Sequence, residues 1–141
     1  MSLLNIFDVS GSAMNAQSVR LNVTASNLAN SDSVASSAGA AYRARHPVFA
    51  TLLHNSGGTE NGTAASAGVR VLGVVESQQT PSKRYQPDHP LADTSGYVYS
   101  SNVNPIEEMT NMISASRSFQ GNVEVMTTAR DLLVKTLSLG H

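Results

Sequence analysis

The last third of the chain constrains the fold most. From Ile106 onward no proline occurs, and apolar side chains recur at helical spacing almost to the end. Met109, Met112, Ser116, Phe119, Val123, Met126, Arg130, Leu133 and Leu137 step by three and four, which predicts one long helix. A second apolar line passes through Ile113, Val125, Ala129 and Leu132. Asn104 is placed to cap the start, with Pro105 at the first helical position and Glu107 at the third, an Asn-x-x-Glu capping box. Glu107 and Glu108 fall in the first turn, where carboxylates meet the positive end of the helix dipole. Asp131 and Lys135 are spaced for an i,i+4 ion pair, and Gly140 is placed to end the helix. About 35 residues at 1.5 Å each give a rod of about 50 Å. A compact domain of 141 residues has a radius of gyration near ~14 Å. Such a helix outreaches a compact body, and its apolar seam requires a partner.

A second helix is expected from about Val9 to Asn30, with Ser10 or Ser12 as its cap. Met14, Leu21, Ala25 and Leu28 form a narrow apolar seam, completed by Ser18 and widened by Val19 and Val23. The other faces carry Asn15, Gln17, Asn22, Thr24, Ser26 and Asn27, and Arg20 is the one charged residue between Val9 and Asn30. A solvated helical face ordinarily carries Lys and Glu. Amides and hydroxyls suit a face laid against another protein chain. This helix is only about two-thirds as long as the C-terminal one, so it leaves part of the longer seam for neighbouring chains.

The same scarcity of charge runs through the whole sequence. Only 13% of residues are charged and the net charge is -1, with no basic run to meet a phosphate backbone, so nucleic acid is excluded as a partner. The absence of cysteine removes disulfides, thiolate chemistry and Cys-ligated zinc. The start, MSLLNIFDVSGSAMNA, lacks a basic n-region, and Asp8 interrupts its apolar stretch, so a cleaved signal peptide is not expected. No apolar run reaches the ~18 residues that span a bilayer.

Between the helices, residues 31–41 (SDSVASSAGAA) read as a loop. Strands are expected around Arg43, Arg45 and Val48 to Leu53, over Val69 to Glu76, and at Tyr97-Val98-Tyr99. HNSGGTENGTAASAG separates the first two, and the three prolines of PSKRYQPDHPLADTSG argue against regular structure before the third. The predicted fold is mainly α with a small antiparallel β region. It divides into residues 1–41 (N-terminal helix and connecting loop), 42–103 (loop-rich middle with short strands) and 104–141 (long C-terminal helix).

No constellation in the sequence supports catalysis or metal binding. His46, His54, His89 and His141 have no metal-ligand spacing, and HExxH is absent. His89, with Asp88, Asp93 and Ser95 nearby, has the composition of a metal site or a triad, but it sits between prolines as a turn would and lacks a nucleophile elbow. Gly57, Gly58 and Gly62 are followed by no Lys-Ser/Thr, so they form no phosphate loop. Arg43, Arg45 and His46 read as structural contacts rather than an anion site. Met109, Met112 and Met126 read as helix packing rather than a soft peptide-binding surface.

AMNAQSVRLNVTASNLAN, residues 13–30, resembles the N-terminal signature of the flagellar rod and hook family of bacterial axial proteins, with Asn27-Leu28-Ala29-Asn30 at its centre. Where the family has a Thr-Thr-Gly-Tyr-like turn, this chain has Ser33-Val34-Ala35 and an insertion-like SSAGAA before Tyr42. Further along, the sequence looks most like the proximal-rod members. The matching segments are Tyr42-Arg43-Ala44-Arg45, Pro87-Asp88-His89-Pro90-Leu91-Ala92 and Gly96-Tyr97-Val98-Tyr99. They continue with Asn102 to Met109 and with Ala115 to Val125, which includes Arg117 and Asn122. The family's Tyr and Ala are replaced by Phe119 and Gly121. Gly121 costs about 1 kcal/mol of helix propensity relative to Ala and permits a close helix contact.

The resemblance implies a structural subunit with no catalytic residue, metal or cofactor. Its terminal helices would pair in a coiled-coil-like core of a helical tube, the proximal rod in the periplasm. It would polymerise with copies of itself and related rod subunits and transmit torque. Other expected partners are the membrane-ring base or its adaptor, and the flagellar type III export apparatus, which passes the chain uncleaved. The expected assembly seam is Met14, Leu21, Leu28, Met109, Phe119, Val123, Met126, Leu133 and Leu137. The family-motif positions are Asn27, Leu28, Ala29, Asn30, Asn104, Glu108, Met109, Arg117 and Asn122. Another axial subunit, a rod–ring adaptor or a non-flagellar helical scaffold remain the alternatives.

Overall fold

The computed structural model describes residues 3–54 and 66–139. Helix α1 (Leu3–Ala29) is followed by strands β1 (Val34–Ala35), β2 (Arg45–His54), β3 (Ser66–Glu76), β4 (Ser82–Tyr85) and β5 (Tyr97–Ser100), then by helix α2 (Pro105–Ser138). The architecture is mainly helical with a small β region, as the sequence predicts. The Gly/Ser/Asn-rich loop falls almost wholly outside the described residues, as do Gly140 and His141.

Helix α2 spans 34 residues. Asn104 caps it: its Oδ1 accepts the Ile106 N–H at 3.1 Å, and its carbonyl accepts the first intrahelical bond from Glu108 N–H at 3.0 Å. The other arm of the capping box is not made among the described residues, and Glu107 is exposed. The Asp131–Lys135 pair is not made either. Asp131 is taken by its neighbour Arg130 at 3.0 Å, with both side chains more than half exposed. At that exposure neither pairing is worth much, so the shorter reach decides.

Helix α1 begins six residues before the expected start, and neither Ser10 nor Ser12 caps it. Ser10 is buried inside the helix at 4% exposure. The Ser12 hydroxyl bonds back to the Val9 carbonyl at 2.9 Å and also accepts the Val69 N–H at 3.1 Å. Serine satisfies its hydroxyl locally in a helix interior as readily as at a cap, so its presence alone does not mark a boundary. Asp8 joins Arg20 as a charge on this helix.

Two of the strands were not predicted. β4 lies between Pro81 and Pro87 and keeps four residues free of proline. Proline excludes a strand only where its missing N–H would be needed. β1 is a two-residue strand inside the predicted loop. β1, β5 and β4 form an antiparallel sheet in that order, with Val34 opposite Ser100 and Ala35 opposite Tyr99. On the other side Lys83 faces Tyr99 and Tyr85 faces Tyr97. Strand alternation puts Val98 and Ser100 inward and the tyrosines outward, and Val98 is completely buried. β2 and β3 form a separate two-stranded sheet, in which every strand is an edge and Pro47 of β2 is tolerated.

The chain forms two compact units, each discontinuous in sequence. The first comprises Met1–Val19, Val48–Gly73 and Ser114–His141, and the second Arg20–Pro47 and Val74–Ile113. In the first, Ser12 holds the backbone of β3 where Gly68 approaches closely. A Cβ on Gly68 would stand 3.2 Å from the Ser12 hydroxyl. In the second, the β4–β5 connection is a turn. Asp93 accepts the N–H groups of Ser95 at 2.8 Å and Tyr97 at 2.9 Å, and His89 Nδ1 accepts the Leu91 N–H at 3.1 Å. These are the groups that a triad or metal site would have used, and they order backbone instead.

Gly96 closes that turn at φ 78°, where an added Cβ would come within 2.9 Å of Tyr85 Cε2. Both the left-handed conformation and the collision disfavour a side chain. Gly96→Ala is expected to cost about 1–3 kcal/mol, read as a lower urea midpoint. An unchanged midpoint would show that the turn re-forms without strain.

Candidate assembly surface

A small polar hub fixes the end of α1. Asn27 is fully buried. Its Nδ2 donates to the Arg45 carbonyl at 2.8 Å, and its Oδ1 accepts the Arg45 N–H at 2.9 Å and the Tyr42 hydroxyl at 3.1 Å. One side chain thus engages both backbone groups of one residue, as a neighbouring strand would. Asn30 closes the helix, its Nδ2 donating to the Ser26 carbonyl at 2.8 Å, and Ser31 bonds the Leu28 carbonyl at 2.8 Å. Asn102 extends the same logic across the unit, accepting the Ala44 N–H at 2.7 Å and donating to the Gln79 carbonyl at 2.9 Å. Arg20 of α1 reaches Asn111 of α2 at 3.0 Å.

The helix faces that turn inward are not the most apolar ones. On α1 the buried residues are Ser10, Ala16, Thr24 and Asn27, while Met14, Leu21 and Leu28 flank them half-buried and Ala25 is exposed. On α2 the residues that turn from solvent include Glu108, Met112, Ala115, Phe119, Asn122, Met126, Ala129 and Leu133. Their steps alternate four and three, which is a heptad seam. Of the predicted seam, Phe119, Met126 and Leu133 lie on it. Met109, Val123 and Leu137 stand outward at 50%, 41% and 70% exposure. Among the motif positions Ala29 and Arg117 are exposed, and Asn122 bonds back to the Ser118 carbonyl at 2.8 Å. Hydropathy finds only part of the seam, because Ala, Ser and one buried carboxylate hold its closest positions. Glu108 is 3% exposed and its Oε2 has no hydrogen-bond partner among the described residues.

The outward side of α2 is correspondingly apolar. Ile106, Ile113, Val125, Leu132 and Val134 are also exposed, as is Leu139 just beyond the helix. In the first unit, Ile6, Gly121, Glu124, Val125, Thr128, Ala129 and Leu132 line an open groove of about 530 Å³. Sequence reasoning missed Ile6, Glu124 and Thr128 as groove residues. The signal at Gly121, a glycine inside a helix, was present. Tyr42 and Asn102 fall within the matching segments, but their roles are not legible there, because Tyr42 meets side chains of α1 and Asn102 meets backbone groups of distant segments. Among the described residues no three acidic, His or Cys side chains gather as metal ligands, and no helix is long and apolar enough to cross a membrane.

Two family models match the chain: the flagella basal body rod protein model over residues 7–36, and the flagellar basal body rod FlgEFG protein C-terminal model over residues 94–139. These are the two ends that carry α1 and α2. Curated relatives match throughout. The flagellar basal-body rod protein FlgC of Escherichia coli O157:H7 is 51% identical over 141 residues, covering 100% of both chains. That of Salmonella typhimurium is 50% identical over the same full length, and that of Buchnera aphidicola subsp. Acyrthosiphon pisum 44%. With both ends matched by the family models and half of all residues shared with full-length relatives, the chain belongs to the flagellar basal-body rod protein family.

Proposed function

We propose that this chain is a structural subunit of the flagellar proximal rod, polymerising with copies of itself and related axial subunits in the periplasm to transmit torque. The observation that carries the reading is that α2 exposes apolar side chains on more than one side, with Val123, Val125, Leu132, Val134 and Leu137 all exposed. A helix apolar on several sides is built to be buried, and exposed apolar patches of this kind mark contact surfaces. Side-by-side helices spread a twisting load over many contacts, which is the mechanical need of a drive shaft. Export as an uncleaved substrate of the flagellar type III apparatus, and contact with the membrane-ring base or its adaptor, complete the proposal.

The test is the composition of basal bodies purified from cells that carry or lack the gene. The chain is expected in the rod fraction at several copies per basal body, and its deletion is expected to abolish swimming and leave no distal rod. A motile deletion strain would overturn the proposal. A single copy bound at the ring would favour an adaptor instead.

A further inference from the structure

The two exposed apolar surfaces of α2 in the first unit lie on opposite sides of the helix. At about 100° per residue, Gly121, Val125, Thr128 and Leu132 fall within a sector of about 60°, the floor of the groove. Val123, Arg130, Val134 and Leu137 fall within an equally narrow sector about 180° away. The second set is a ridge: Val123, Val134 and Leu137 are exposed at 41%, 59% and 70%. Gly121 leaves the groove open, since a Cβ there would meet nothing within 4 Å.

The charges match as the shapes do. Glu124 lines the groove and has no salt bridge among the described residues. Arg130 sits within the ridge and, among the described residues, is held by the exposed Asp131 beside it. We infer that the groove of one copy receives the Val123–Val134–Leu137 ridge of a second copy of this chain, with Glu124 meeting that copy's Arg130. A patch that binds a different patch of the same molecule is heterologous. It does not close on itself as a two-fold dimer and continues as an open array. The inference rests on the rod reading above and names the contact through which copies would meet.

The absence of cysteine makes the test clean. With neighbouring α2 helices running the same way, the six-residue offset from Glu124 to Arg130 also brings Thr128 against Val134 of the next copy. A variant carrying both Thr128→Cys and Val134→Cys is expected to give, on mild oxidation of purified basal bodies, a ladder of linked copies extending beyond the dimer. Either single variant should give none. Glu124→Arg or Arg130→Glu, each added to the double-cysteine chain, should lower the linked fraction roughly tenfold, and the two together should restore it. No linkage in a chain that is present in the basal bodies would overturn this contact and leave the rod reading standing. Dimers from a single-cysteine variant, or linkage to a different rod protein only, would overturn it as well. Absence of the unsubstituted chain from basal bodies would sink both.

Discussion

Asn27→Ala is expected to lower the stability of the purified chain by about 2–4 kcal/mol, read from urea unfolding. The side chain is fully buried, and it is the partner of the Arg45 N–H, the Arg45 carbonyl and the Tyr42 hydroxyl together. Alanine strips the side-chain partner from both Arg45 backbone groups and leaves the Tyr42 hydroxyl only the Ser26 hydroxyl at 3.2 Å, so the loss carries a desolvation cost beyond that of one hydrogen bond. Asn30→Ala is the control. Asn30 is half-buried and its side chain satisfies one carbonyl at the helix end, so its loss should cost about 1 kcal/mol. Losses that agree within about 0.5 kcal/mol would show that Asn27 is not the joint described.

The second large effect is on assembly rather than folding. Val134→Asp and Leu137→Asp change side chains that are 59% and 70% exposed, so thermal unfolding of the isolated chain should move by less than about 0.5 kcal/mol. In an assembled rod the same aspartates would be buried against apolar neighbours at a cost of several kcal/mol. Incorporation into basal bodies should fall more than about a hundredfold, and cells should not swim. Leu28→Asp and Met126→Asp are less diagnostic. Both residues are half-buried in their own chain, so a charge there harms fold and assembly together. Normal incorporation of both Val134→Asp and Leu137→Asp would remove the outward side of α2 from the assembly surface.

The long elements were legible because their signals are local. Asn104 and Pro105 mark the start of α2, and the Tyr97-Val98-Tyr99 alternation marks β5, through geometry that operates within a few residues. What could not be read was which face turns inward. Hydropathy ranks Met109, Val123 and Leu137 above Ala115, Ala129 and Glu108, yet the second set is buried and the first is not. Small residues gain their place by close approach, which depends on the partner surface and leaves no mark on periodicity. β4 was missed for a related reason. Its prolines bracket the strand without entering it, and only the pairing with β5 shows that four residues are enough. The Asn27 hub was legible as a motif, but its partner stands 18 residues away, and nothing local encodes that distance.

The size of the buried side chains has a consequence for transit. Among the described residues the buried apolar side chains are Ala16, Ala41, Ala44, Ala115 and Ala129, with Val98 and Pro81 the larger ones. Burying a methyl group releases little free energy compared with burying a leucine. A chain with such an interior would resist straightening only weakly, which suits the proposed passage through a narrow conduit. Its exposed apolar side chains would then be covered only where other subunits already stand, and only there would the free energy of covering them become available. Under the proposed export, docking more than folding would make delivery one-way.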